Sequence, residues 1–156
     1  QKFIQDYLEN CYLIHVGKLR KAHEVSKAQI SSISEKQKLY KEMHSLIEPA
    51  LYAIALNDFD EFSGLIDRSW ELKRFYSDGV SNSEIDAAIQ RLRNLGGTGI
   101  KLLGAGSGGF LLCRFKSQMS AYHLNNVGFE YSVKIAHATD GVRRLRLTGC
   151  SEDLSL

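Results

Sequence analysis

Glycine loses more backbone entropy on folding than any other residue, so a chain that crowds glycines together needs positive φ or close approach there. In this chain of 156 residues, seven of the thirteen glycines lie between Gly96 and Gly109, and four of those seven fall within Gly104–Gly109. Compact apolar runs, Ile100–Leu103 and Phe110–Phe115, flank the cluster. Three constructions compete for it. Gly104, Gly106 and Gly109 spell the dinucleotide pattern GxGxxG, but that pattern needs a helix directly after the turn, and Phe110–Phe115 has no helical period. The Walker A spacing is met, yet Phe110 and Leu111 stand where Lys and Ser/Thr are required. The third construction is a β-hairpin with a glycine-rich tip.

The rest of the chain surrounds this turn with helical patterns. Cys11–Val16 (CYLIHV), punctuated by Gly17, predicts a short buried strand. Loose helical spacing predicts a helix from Leu19 to about Ser31. Ser34 and Gln37 have the form of a capping box. The stripe Leu39, Tyr40, Met43, Leu46, Ile47, Ala50, Leu51, Ile54 then predicts a long helix, kinked between Ser45 and Pro49 because proline removes a donor. Asp58 with Glu61 predicts a new N-cap. Phe59, Phe62, Leu65, Ile66, Ser69, Trp70 and Lys73 share the next helical face, which ends at Ser77–Gly79. Ser81 with Glu84 predicts another capping box ahead of Ile85, Ala88, Ile89 and Leu92, closed by Gly96–Gly97. A short helix within Ser117–Leu124, a strand at Glu130–Ile135 (EYSVKI) and a further strand or tail at Val142–Leu147 complete the pattern. Helices facing a small, mostly antiparallel sheet predict an α+β sandwich in a single domain, 1–156.

Composition limits the function classes. With 44% hydrophobic and 24% charged residues the chain holds enough apolar material for one core. A net charge of +2 gives no electrostatic case for a nucleic-acid partner. No apolar run approaches the roughly 20 residues needed to span a bilayer. The three cysteines, Cys11, Cys113 and Cys150, form no CxxC pair; they are expected as small buried thiols, and their odd number suits a reducing, cytoplasmic setting. The five histidines lack metal-ligand spacing, and no GxSxG elbow supports a nucleophilic triad. The chain begins without Met, which fits a piece of a longer protein.

Lys101–Leu112 (KLLGAGSGGFLL) resembles the third, C-terminal motif of the GHMP small-molecule kinases, which include galactokinase, homoserine kinase and mevalonate kinase. Trp70–Lys73 (WELK), Val80–Asp86 (VSNSEID) and Leu13–Arg20 (LIHVGKLR) are similar in order and spacing to the D-glycero-D-manno-heptose 7-phosphate kinase branch. The likeness runs from Leu8 to Phe115. It implies a ferredoxin-like, mostly antiparallel sheet covered by helices, the C-terminal half of a kinase whose active cleft lies between two halves. It further implies ATP and Mg2+ as cofactors of the parent enzyme, a sugar or sugar-phosphate substrate, and an N-terminal kinase half as partner. That half would carry the serine- and glycine-rich ATP loop, the catalytic carboxylate and the magnesium ligand, none of which this chain contains. No catalytic residue and no metal ligand is therefore expected here.

The resemblance places a phosphate or substrate site on Gly104, Ala105, Gly106, Ser107, Gly108 and Gly109, whose amides would approach the transferring phosphate as an anion-binding nest. Ser107 supplies the one hydroxyl in the turn. Lys101 would point into the cleft or into solvent, Lys73 would contact phosphate or solvent, and Arg20 would reach an anionic substrate. Trp70 is expected in the core, with a sugar-stacking platform as the minor alternative. The competing expectation for the whole chain is a non-catalytic ligand-binding or regulatory module that retains the glycine loop.

Overall fold

A computed structural model describes residues 2–17, 33–76, 79–104, 106–129 and 132–135. The elements are α1 (Lys2–Leu8), β1 (Cys11–Val16), α2 (Ile33–Ser45), α3 (Ile47–Leu56), α4 (Phe59–Tyr76), α5 (Ser83–Asn94), β2 (Thr98–Leu102), β3 (Gly109–Arg114), α6 (Ala121–Asn126) and β4 (Ser132–Lys134). The expected helix at Leu19–Ser31 and the expected strand at Val142–Leu147 lie outside the described residues, as do Arg20, Ala105 and Cys150.

The strands form one sheet in the order β2-β3-β1-β4, and every neighbouring pair is antiparallel. β1 and β3 pair from Cys11↔Arg114 to Val16↔Gly109. β2 and β3 make the hairpin that the glycine cluster predicts: Lys101 faces Leu112, Leu102 faces Leu111, and the Leu103 amide donates to the Phe110 carbonyl at 2.9 Å. Because a strand rather than a helix follows the glycines, the dinucleotide construction is excluded.

Strand alternation splits the core into two clusters. Tyr12, Ile14 and Val16 of β1 join Leu111 and Cys113 of β3, Ile85, Ile89 and Leu92 of α5, and Trp70 in the larger one. Cys11 turns the other way and packs with Phe3 and Tyr7 of α1, against Phe59, Phe62 and Ile66 of α4. Buried Cys11 and Cys113 are free thiols, and burial pushes the Cys11 thiol up to about 12, so it stays protonated. The helix α1 escapes a reading that takes the N-terminus as polar; its signal is the i, i+4 pair Phe3 and Tyr7.

Three local expectations need correction. α2 begins at Ile33, so Ser34 lies in its first turn instead of capping it. The long kinked helix is two helices, broken at Leu46, and Pro49 sits in the first turn of α3, where the missing N–H has no intrahelical partner to lose. At α5 the cap is Asn82, whose side chain accepts from the Ile85 amide at 3.0 Å, while Ser81 Oγ donates to Asp86 Oδ1 at 2.7 Å. The Asp58 cap forms as expected, with Oδ1 accepting from the Asp60 and Glu61 amides at 3.1 and 2.9 Å.

α4 is fastened lengthwise to the edge strand β2. Asp67 accepts from the Gly99 amide at 3.1 Å and the Ile100 amide at 2.7 Å, where the β2–β3 register shifts between Thr98 and Lys101. A bulge frees backbone donors, and the carboxylate satisfies them. Gly99 itself has φ +60°, and a Cβ there would stand 2.6 Å from the Tyr7 hydroxyl and 3.3 Å from Ser63 Cα, so only glycine lets the helix sit this close. An Asp67→Ala chain, leaving two part-buried donors without a partner, is expected to lose about 2–4 kcal/mol in urea unfolding. An unchanged midpoint would show that the carboxylate adds nothing to the fold.

Candidate functional site

The hairpin tip carries a run of left-handed backbone: φ is +82° at Gly104, +114° at Gly106, +64° at Ser107, +150° at Gly108 and +124° at Gly109. Four of these residues have no Cβ to clash; Ser107 adopts the region with one. Two bonds hold Ser107 in place. Its amide donates to the Val80 carbonyl at 2.9 Å, and its hydroxyl donates to the Gly79 carbonyl. The hydroxyl expected to meet a phosphate or sugar oxygen thus serves as a tether in this structure. A Cβ on Gly106 would stand 2.8 Å from Val80 Cα and 2.9 Å from the Val80 carbonyl oxygen, so the tip lies flat on residues 79–80.

That platform is itself anchored. Ser81 reaches Asp86, and the same Asp86 accepts from Arg74 Nη2 at 3.0 Å, which ties the end of α4 to the start of α5. On the other flank, Gly17 closes β1 with φ +70°, and a methyl there would lie 3.4 Å from Gly108 Cα.

Both predicted lysines converge on the base of the tip. Lys73, in the last turn of α4, donates from Nζ to the Gly104 carbonyl at 2.7 Å. Lys101 points neither into solvent nor away from the helix: its Nζ donates to Ser69 Oγ at 3.0 Å, one turn before Lys73. Burial holds both amines below the ordinary lysine range, and the charge of Lys101 lowers Lys73 further. Among the described residues neither ammonium has a carboxylate within ion-pair distance. Two half-buried cations side by side without a counter-ion suit an anion. Trp70 is fully buried in the larger core, which removes it as a stacking platform.

A second charged cluster occupies the opposite end of β3. Arg114 is 6% exposed, lies over the rings of Tyr7 and Phe59, and pairs with Asp60 at 3.2 Å; Lys116 reaches the same carboxylate at 2.5 Å. These opposite charges satisfy one another, which separates this cluster from the lysine pair.

Residues 50–125, from α3 into α6, match the family described as GHMP kinases C terminal. No curated protein matches the chain. Among solved structures, the mevalonate kinase of L. major, crystallised with R-mevalonate, superposes with a TM-score of 0.57 at 22% identity, covering 75% of this chain and 36% of that one. The chain therefore spans about a third of that protein's length.

If the tether sets the tip, Gly106→Ala is expected to cost about 1–3 kcal/mol through its positive φ and the collision with Val80. It should also raise the hydrogen-exchange rate of the Ser107 amide. A Ser107 amide equally protected in the variant would refute the tether. The helices and the four-stranded antiparallel sheet make an α+β fold, consistent with that of the GHMP kinase C-terminal domain whose family model residues 50–125 match.

Proposed function

We propose that this chain is the C-terminal half of a cytoplasmic, ATP-dependent sugar or sugar-phosphate kinase, with the glycine hairpin facing a cleft that a second, N-terminal half completes. The observation that carries the reading is the pair of half-buried lysines, without a carboxylate partner among the described residues, at the base of a turn without bulky side chains. Phosphoryl transfer needs positioned donors and charge more than covalent groups, and such a turn can bring backbone close to phosphate oxygens. The D-glycero-D-manno-heptose 7-phosphate kinase branch is the finer proposal, supported by the WELK and VSNSEID segments.

In this reading the Lys73 and Lys101 ammonium groups hold the nucleotide's phosphates, and Lys73 keeps the tip aimed through Gly104. Ala105 and Arg20, outside the described residues, remain proposed members of the site. The described residues contain no group of three or more His, Cys, Asp or Glu that suits Mg2+, so its ligands are proposed on the other half, along with the catalytic carboxylate. No helix among the described residues is long and apolar enough to cross a membrane.

The test is ADP release with ATP, Mg2+ and a panel of hexoses, heptoses and their phosphates. The chain alone should stay below about 0.1 s⁻¹, against typical enzyme values near 10 s⁻¹, because positioning by two halves supplies most of the rate. The longer protein carrying both halves should turn over, and Gly106→Val in it should lose about 10²–10³ in rate. Turnover by the chain alone, or none by the longer protein with any acceptor, would overturn the reading.

A pH dependence follows from the depressed lysines. A bound phosphate favours the ammonium forms and raises their pKa values, so binding takes up protons. Affinity for ADP is expected to be highest at low pH and to fall as pH rises through the lysine pKa values of the free chain. Calorimetry in two buffers of different ionisation enthalpy reads that uptake; equal heats would exclude the lysines.

A further inference from the structure

A cavity of about 350 Å³ opens beside the hairpin tip, between the end of β1, one face of α5 and the turn before β4. Its volume falls within the range of small-molecule sites. Three residues make the room by being small: Gly17, Ala88 and Gly128. Three make it polar: His15, Glu84 and Arg91. Glu84, Ala88 and Arg91 lie at i, i+4 and i+7, so they stand in one row along α5 with the alanine methyl as floor and the two charges about 10 Å apart along the axis.

The two ends differ in chemistry. Arg91 is a fixed cation: its Nη1 donates to the Val127 carbonyl at 3.2 Å, its guanidinium lies 4.7 Å over the Phe129 ring, and a Cβ on Gly128 would come within 3.0 Å of it. Among the described residues no carboxylate pairs with it, and most of its five donors remain. Glu84 lies at the other end, next to the tip. A methyl on Gly17 would stand 3.9 Å from Glu84 Oε2 and 3.7 Å from the Ser107 carbonyl oxygen. A carboxylate there accepts hydrogen bonds from hydroxyls and repels anions.

We propose that this cavity is the acceptor pocket, and that it selects a polyhydroxylated compound with an anionic group at its far end, the anion on Arg91 and a hydroxyl on Glu84 beside the glycine tip. The inference rests on the kinase reading for its purpose, but the pocket's selectivity stands on its own geometry. Arg91 and Glu84 are the specificity-determining residues, distinct from the Lys73–Lys101 pair that holds the transferred phosphate.

The test is a titration of the isotope-labelled chain, followed by backbone amide shifts, with glucose 6-phosphate, glucose and inorganic phosphate as separate probes. Glucose 6-phosphate should shift the Gly17, Ala88 and Gly128 signals at lower concentration than either fragment. Arg91→Gln should weaken it about tenfold or more, and Arg91→Lys should restore part of the loss. Glu84→Gln should weaken glucose 6-phosphate but not inorganic phosphate. Both positions are exposed, so the variants are expected to fold. Shifts confined to Gly104–Gly109, or equal binding by Arg91→Gln, would overturn the pocket and leave the kinase reading intact. Arg91-dependent binding by the chain, together with no ADP release by the longer protein, would overturn the kinase reading alone.

Discussion

The Asp67 carboxylate sets the register on which the site depends. By accepting from two successive amides of β2 it fixes where α4 lies along the edge strand. Two residues further along the helix, Ser69 meets Lys101, and one more turn brings Lys73 to Gly104. The three contacts climb helix and strand together, so the lysine pair is a consequence of the clamp. Arg93 adds a 3.3 Å ion pair to the same carboxylate from α5, which draws the two helices toward one bond acceptor.

The two ends of the sheet handle charge differently. At the Arg114 end, Asp60 answers both cations, and its carboxyl is held below the usual range, chiefly by the Lys116 hydrogen bond and then by Arg114. A carboxylate with a lowered folded pKa supports the fold above its unfolded pKa, and that support fades as pH falls through the folded value. Since Asp60 is more than half exposed, water screens much of the effect. At the glycine end, the cations have no carboxylate partner among the described residues, in contrast to the Arg114 end.

Much of this was legible in the sequence where local rules govern. β1 was readable to the residue from CYLIHV, and the hairpin from the change of period around the glycines. The Asp58 cap followed from its chemistry. Contacts between distant segments were not legible: nothing in the spacing of Asp67 announces that it will cap a bulge thirty-odd residues away, because a bulge is set by pairing geometry. For the same reason Asn82 displaced Ser81 as the cap, since Ser81 was drawn off by Asp86. The break at Leu46 was visible only as a kink, because proline marks a first turn as readily as a bend. The candidate site was legible only in part. The glycines and both lysines stand out in the sequence as candidates, whereas the row of Glu84, Ala88 and Arg91 that lines the proposed pocket is hidden behind the apolar stripe of the same helix.

The Ser107 tether joins residues 79–80 to residue 107, and α5 lies in the chain between them. The segment is thereby a closed ring, locked by one amide and one hydroxyl across Gly79 and Val80. A ring of this kind has lost its loop-closure entropy before any ligand arrives. Ser107, in a stretch that composition alone would make pliant, is instead held by two bonds to residues 79–80. The absent Cβ at Gly106 serves shape, since it lets the backbone lie against Val80.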